Sequence, residues 1–574
     1  MKRIKSSQSI RATGTPSVQK TWRWIYFLAM ALSASVQAKS LVDSKHNLSA
    51  SGHGINASRE THICIFCHTP HVANPAAPHW NRPSHGAIYT PYSSSTAKAT
   101  FGQPTGSSRL CLSCHDGTVA LGMIISQAPI PFAGGMNKMP KGRPNLETDL
   151  SNDHPISFTY DSGLAMLNGE LNDPNTLDSC VNLDSSGMIQ CTTCHDPHDD
   201  LFGKFLVKNN AGSALCLECH NKEYWTGSDH QASMATWNGI GINPWPHSTE
   251  TTVADNACSS CHTPHDAGSA ERLLHYAEEE VNCFTCHSGN VAASNIEAEF
   301  KKMSIHPVAS TTGIHDPTED LVNSPRHVEC SDCHNPHATR STEATAPIAS
   351  GALNNVKGIG SSGSVVDPLI NEYELCYRCH ADSIDRGTAI IDRQFPLTNT
   401  RSEFSSSSAS YHPVETIGRN TDVPSLINPL NESSLIYCTD CHNSDQGPNA
   451  GGIGPNGPHG SVYAPLLERR LRLTDEGNES PMHYALCYKC HDRTSILNDE
   501  SFAFHKKHIV DEKTACTTCH DPHGVQSTTH LINFNLDYVL PFNGTIEFVD
   551  EGALRGNCTL TCHGKDHNSL TYEP

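Results

Sequence analysis

The chain has 574 residues, a formal charge of −21, 25 cysteines, 36 histidines and only 6% aromatic residues. With a mean hydropathy of −0.42, a protein of this size is too polar to rely on a conventional side-chain core, and another apolar component has to supply the missing interior. The acidic balance excludes nucleic acid as a natural partner.

The first predicted element is a leader. Lys2, Arg3, Lys5, Arg11, Lys20 and Arg23 precede an apolar run from Trp24 to Ala34 and the small-residue site Val36-Gln37-Ala38. These are the n-region, h-region and cleavage site of a secretory signal peptide, so residues 1–38 are predicted to be removed after Ala38. The apolar run is short for a membrane anchor, and no cysteine near the cleavage site supports a lipid anchor. Nothing later is apolar for long enough to cross a bilayer, which predicts an exported, periplasmic or extracellular product with no membrane span after signal cleavage. Loss of the six leader cations takes the charge from −21 to −27, which suits a basic redox partner or a mineral surface.

From residue 64 onward, two cysteines followed at once by a histidine recur twelve times and use 24 of the 25 cysteines. In chain order the sets are Cys64, Cys67 and His68; Cys111, Cys114 and His115; Cys191, Cys194 and His195; Cys216, Cys219 and His220; Cys258, Cys261 and His262; Cys283, Cys286 and His287. They continue with Cys330, Cys333 and His334; Cys376, Cys379 and His380; Cys438, Cys441 and His442; Cys487, Cys490 and His491; Cys516, Cys519 and His520; and Cys558, Cys562 and His563. All but the last read Cys-x-x-Cys-His, the attachment signature of c-type haem; the last reads Cys-x-x-x-Cys-His.

The spacing has a mechanical reason. One helical turn puts residues three and four apart on one face, so both thiols reach the porphyrin edge and the adjacent histidine becomes the proximal iron ligand. Zinc sites and redox dithiols also pair cysteines but need no fixed adjacent histidine. Twelve covalent haem c groups are therefore predicted, one for about every 45 residues of 39–574. So many cysteines also agree with a location outside the cytoplasm.

The motifs alternate in kind. Those at Cys64, Cys191, Cys258, Cys330 and Cys516 continue as His-x-Pro-His, giving His71, His198, His265, His337 and His523, whereas Cys438 occupies the same slot without this continuation and has its nearest Pro-His at His459. Histidines also precede the pairs: His154, His306 and His412 share a His-Pro-Ile/Val pattern, while His53, His247 and His508 fill the slot less clearly and compete with His46, His62, His230 and His505. Six of each class make twelve candidate distal ligands, predicting bis-histidine irons. Methionine is the rival ligand, but none of the ten recurs at a fixed offset. His71 follows His68 by three residues with Pro70 between them, so a histidine of this class cannot reach the far face of its own ring and must bind a different haem.

The array parses as six tandem dihaem units, 39–135, 136–229, 230–295, 296–395, 396–500 and 501–574. In Cys-Thr-Thr-Cys-His-Asp-Pro-His at Cys191 and Cys516, and in the closing Cys558-to-His567 segment, the chain resembles the multihaem c-type cytochromes of the doubled CxxCH motif family, which include bacterial electron conduits and extracellular cytochrome filaments. The predicted fold is mostly irregular, with short α-helices carrying the motifs, few β-hairpins and an elongated body around a haem chain. Ser/Gly/Pro-rich stretches at 93–108, 340–364, 401–410 and 444–460 read as surface loops, and Cys180 as a free buried thiol. Alternation of Ile532, Phe534, Leu536 and Tyr538 before Asn543-Gly544 and residues 545–549 predicts a β-hairpin.

Three functional readings follow. The leading one is an electron-transfer protein, not an enzyme, serving other redox proteins or extracellular electron acceptors in anaerobic or extracellular respiration. The second is a multihaem reductase, for example of nitrite type, with one open iron at Cys438 or Cys558. The third is self-association into a filament.

Overall fold

The computed structural model describes residues 40–75, 77–83, 86–310, 312–552 and 554–573. The predicted leader lies outside these residues, and no helix among them is long and apolar enough to cross a membrane.

Regular structure is short and follows the motifs. The longest helices end on second-type motifs: α1 (Gly106–His115), α2 (Glu279–His287) and α3 (Glu372–His380). The last starts on a capping box, in which the Glu374 carboxylate accepts from the Asn371 N–H at 2.9 Å while the Asn371 side chain caps the other end of the turn. The remaining Cys-x-x-Cys segments form single α or 3₁₀ turns, as at Cys191–Cys194, Cys330–Cys333 and Cys438–Asp440.

Three of these helices dock on the next motif by one repeated contact. The residue four before the first cysteine, one turn back on the same face, meets the residue just inside the following motif. Ser107 Oγ lies 2.8 Å from Thr192 Oγ1, Glu279 accepts from Ser331 N and Oγ at 2.8 and 2.7 Å, and Glu372 accepts from Thr439 N and Oγ1 at 3.1 and 3.0 Å.

Two-residue β-ladders tie neighbouring predicted units together. Ser304–Ile305 pairs with Gly460–Ser461, and Ser410–Tyr411 with Gly524–Val525. Each ladder sits directly beside a candidate distal pair, His306 with His459 and His412 with His523. Glycine is obligatory there: a Cβ at Gly460 would meet Glu299 O at 2.0 Å, and one at Gly524 would meet Glu403 O at 2.2 Å.

Apolar packing is divided among small clusters. The largest joins Ile359, Tyr373, Tyr377, Ala381, Phe404, Tyr411 and Val414; another, around Phe66, Leu121, Ile124 and Phe132, lies against Cys67 and Cys114. Motif cysteines border these clusters, as a chain that packs against a cofactor requires. The structure thus agrees with the predicted low content of regular elements. Cys180 is free but only partly buried, in contrast to the buried thiol predicted.

The C-terminal tail departs from the prediction. The Asn543-Gly544 turn forms, with φ of 49° and 86° and a Phe542–Thr545 bridge. Its strands pair elsewhere: β1 (Val539–Leu540) and β2 (Glu547–Gly552) both pair with β3 (Arg555–Cys562), which continues into β4 (Lys565–Tyr572). Residues 532–538 form no ladder with 545–549 because their backbone is already used. Asn533 N and Asn535 N donate to Cys519 O and Thr518 O at 2.8 and 2.9 Å. The last motif is consequently a strand, not a helical turn. Thr559 and Thr561 favour extended backbone and face outward, while Leu560 is buried with Cys558 and Cys562 packed beside it.

Candidate haem-ligating histidine pairs

An imidazole nitrogen binds a first-row metal at about 2.0 Å, so two rings facing each other across one iron have centroids about 6 Å apart. Eleven motif histidines have another histidine at this separation. His68 faces His198 at 6.0 Å, His115 faces His46 at 6.2 Å, His195 faces His265 at 6.2 Å, and His220 faces His154 at 6.2 Å. His262 faces His337 at 6.1 Å, His287 faces His230 at 6.1 Å, His334 faces His459 at 6.1 Å, and His380 faces His306 at 6.3 Å. His442 faces His523 at 6.1 Å, His491 faces His412 at 6.4 Å, and His520 faces His505 at 6.3 Å.

A rule links sequence to pairing. A Pro-His histidine faces the first motif of the preceding predicted unit, and a preceding histidine faces the second motif of its own, except in the last unit, where His505 faces the first motif. His71 is exposed and faces no histidine among the described residues. His53 and His247 are likewise exposed and face none, and His46 and His230 stand where they were expected. His62 turns to Glu60, 2.8 Å away.

The reason lies in tertiary contacts between the two histidine classes. The proline carbonyl of a Pro-His pair accepts from Nδ1 of a preceding-class histidine. His46 reaches Pro197 O at 3.0 Å, His230 reaches Pro336 O at 2.7 Å, His306 reaches Pro458 O at 2.7 Å, and His412 reaches Pro522 O at 2.5 Å. Motif histidines are anchored similarly: Nδ1 of His115, His195, His262 and His334 lies 2.6, 2.9, 2.8 and 3.0 Å from a backbone carbonyl. Donation through Nδ1 fixes the tautomer that leaves the Nε2 lone pair for a metal. Asp153 performs the same service for His265 at 3.0 Å, and Glu403 Oε2 pairs with His523 Nδ1 at 2.9 Å.

Burial favours the neutral form of many of these rings; His523 is the exception, raised against its burial by the Glu403 carboxylate. Desolvation, followed by the charge of the facing imidazole, pushes His220, His287, His380, His442 and His491 down to about 4 and His459 and His505 down to about 3. A neutral pair at working pH is what two-sided ligation needs.

The cysteines define an order along the chain. Second cysteines are neighbours within a unit: Cys67 with Cys114, Cys194 with Cys219, Cys261 with Cys286, Cys333 with Cys379, and Cys441 with Cys490. First cysteines come within hydrogen-bond reach across unit boundaries: Cys111 with Cys191, Cys216 with Cys258, Cys283 with Cys330, Cys376 with Cys438, and Cys487 with Cys516. The two kinds of neighbour alternate, so successive motifs lie beside one another in sequence order.

The twelfth motif fits less well. Among the described residues His563 faces no histidine; its Nε2 lies 2.7 Å from Asp475 and its ring stacks on Tyr538. The strand spaces Cys558 and Cys562 by about 13 Å along its axis, wider than the helical turns of the other motifs. A twelfth ring pair nevertheless exists beside it: His508 faces His567 at 6.4 Å, with His508 Nδ1 held by Phe504 O at 2.8 Å. No pattern in the sequence pointed to His567.

Comparison with known proteins points to the same cofactor chemistry. Residues 185–224 match the model of the doubled CXXCH motif, and residues 250–411 that of the outer membrane cytochrome MtrC/MtrF-like domains II/IV. The multiheme cytochrome MtrA of Shewanella baltica (strain OS185) is 25% identical over 205 residues, covering 34% of this chain and 43% of that protein. The chain thus spans less than half the length of this curated relative. With haem-attachment pentapeptides on short turns, histidine rings set one iron apart, and these matches, the chain is a multihaem c-type cytochrome of the doubled CXXCH kind.

Proposed function

We propose that this cytochrome carries electrons outside the cytoplasm along twelve covalent haem c groups strung in motif order, their irons closed on both faces by histidine. The observation that carries this reading is the alternation of cysteine contacts, which brings each motif against the next, together with the histidine pairs. The haem supplies the one-electron iron couple. The protein's residues hold it. Paired cysteines anchor the porphyrin edge, carbonyls and carboxylates aim Nε2, and a ligand borrowed from the following unit ties neighbouring units together. Two histidines per iron leave no position for a substrate and favour lower potentials than methionine would. For the last haem, His508 and His567 are the axial pair supported by ring separation.

The net negative charge after export favours basic redox partners or mineral acceptors, and the likeness to outer membrane cytochrome domains supports a place in extracellular respiration. Electron paramagnetic resonance of the oxidised protein tests the reading. Low-spin ferric signals throughout support it, and high-spin iron at several sites sinks it. The reductase reading keeps one foothold, the unpaired His563; a high-spin signal there that shifts on adding nitrite would favour it. The filament reading has His71, a ligand-class residue that faces no histidine among the described residues; electron microscopy distinguishes filaments from discrete particles.

A further inference from the structure

A second cluster of metal-binding side chains lies apart from every histidine pair described above. His315, Glu319, His327 and Asp332 bring one donor atom each within 4.8 Å of one another. His315 Nδ1 is 3.5 Å from Asp332 Oδ1 and 3.9 Å from Glu319 Oε1, and His327 Nε2 is 3.1 Å from Glu319 Oε2 and 3.9 Å from Asp332 Oδ2. Four ligands at about 2.0–2.1 Å around a tetrahedral metal are separated by about 3.3 Å, so these edges need only small closure.

The cluster is not a satisfied ion-pair network. The His315 side chain is 8% exposed, yet its Nδ1, aimed into the cluster, has no hydrogen-bond partner. Glu329 Oε2, 3.8 Å from the same nitrogen, is also buried without a partner. An orphaned buried polar atom is costly and calls for a missing partner. His327 is prepared in the manner of a ligand, since its Nδ1 lies 2.9 Å from Pro325 O and leaves Nε2 directed at the carboxylates.

Charge argues the same way. Among the described residues, Glu319, Glu329 and Asp332 face one arginine, Arg378, which donates to Asp332 Oδ1 at 2.9 Å, besides the two histidines. Buried carboxylates in excess over cations are stabilised by a bound metal ion.

Neither histidine belongs to a haem. His315 and His327 lie outside the cysteine motifs, and the nearest motif histidines, His334 and His380, already face His459 and His306. We propose that His315, Glu319, His327 and Asp332 form a closed site for a first-row divalent cation, with zinc the best match and Glu329 and Arg378 as outer partners. Two imidazoles with two carboxylates suit a borderline cation such as Zn²⁺, whereas Ca²⁺ and Mg²⁺ prefer oxygen donors alone.

The position gives the ion a role. Asp332 lies inside the motif Cys330–Cys333 and Arg378 inside the motif Cys376–Cys379, so the metal would clamp the 315–327 loop onto two successive attachment turns and place positive charge beside them. Its stabilisation would come from joining segments that are otherwise held by like-charged carboxylates.

The test uses the full-length holoprotein, stripped with a chelator, given zinc salt alone and desalted. Elemental analysis against iron should find one retained zinc per chain, and zinc-edge X-ray absorption should show a four-coordinate nitrogen and oxygen shell. His327→Ala, and separately Glu319→Gln, should weaken zinc binding more than tenfold in competition with a chromophoric chelator, with haem content and low-spin spectrum unchanged as proof of folding. Failure of the wild-type protein to retain zinc, or retention at wild-type affinity by a fully haem-loaded variant, overturns the proposal. If one variant fails to load haem, the other decides.

Discussion

Replacing His198 by alanine separates ligand from scaffold. The ring faces His68 at 6.0 Å, whereas the motif it follows has its own pair, His195 with His265. Pro197, whose carbonyl holds His46 at 3.0 Å, is retained, so the His46–His115 pair should survive. The His198 side chain is 65% exposed, so little packing is lost and global stability should fall by no more than about 1 kcal/mol beyond the lost ligation. The expected change is one high-spin iron among twelve, roughly 8% of the total, quantified by electron paramagnetic resonance against haem content. Localisation follows from a second background. With Cys64→Ser and Cys67→Ser removing the first haem, His198→Ala should add no high-spin signal. A new signal there, or loss of low-spin character at the Cys191 haem, would refute the assignment of this ligand to the preceding unit.

Three further outcomes are expected. Gly524→Ala would drive a Cβ into Glu403 O at 2.2 Å and cost about 1–3 kcal/mol; by breaking the ladder beside His412 and His523 it should turn two irons high-spin, where a single histidine substitution turns one. His71→Ala should leave every iron low-spin, because this histidine faces no other; any high-spin signal in the variant contradicts the pairing rule. In the tail, His567→Ala should produce a high-spin iron and His563→Ala should not, read by magnetic circular dichroism; the reverse result would return the proximal role to His563.

The attachment chemistry was legible from the residues alone because it is local. Two thiols and an imidazole within one turn need no long-range contact to be recognised, and eleven of the motifs do form helical turns. Distal candidates with a strong local signature, such as His154, His198 and His412, also face motif rings. Where the signature was weak, the candidates differ from the rings that pair. His46 displaces His53 and His230 displaces His247 because a proline carbonyl more than a hundred residues away anchors them. His459, lacking the usual continuation, still reaches His334 because the Ser304–Gly460 ladder carries it there.

The last motif shows the limit most clearly. Its cysteines and histidine follow the attachment pattern, but Thr559, Leu560 and Thr561 alternate as a strand, and β2 and β4 are available to pair with it. The cation cluster was equally hidden, because His315 and His327 match no motif and acquire meaning only when Asp332 folds between them. The sequence by itself determined the cofactor class, the covalent anchors and the alternation of two motif kinds, all set within a few bonds. Only the tertiary structure decided which histidine faces which, because a ligand borrowed from another unit is positioned by hydrogen bonds and steric contacts between segments far apart in the chain.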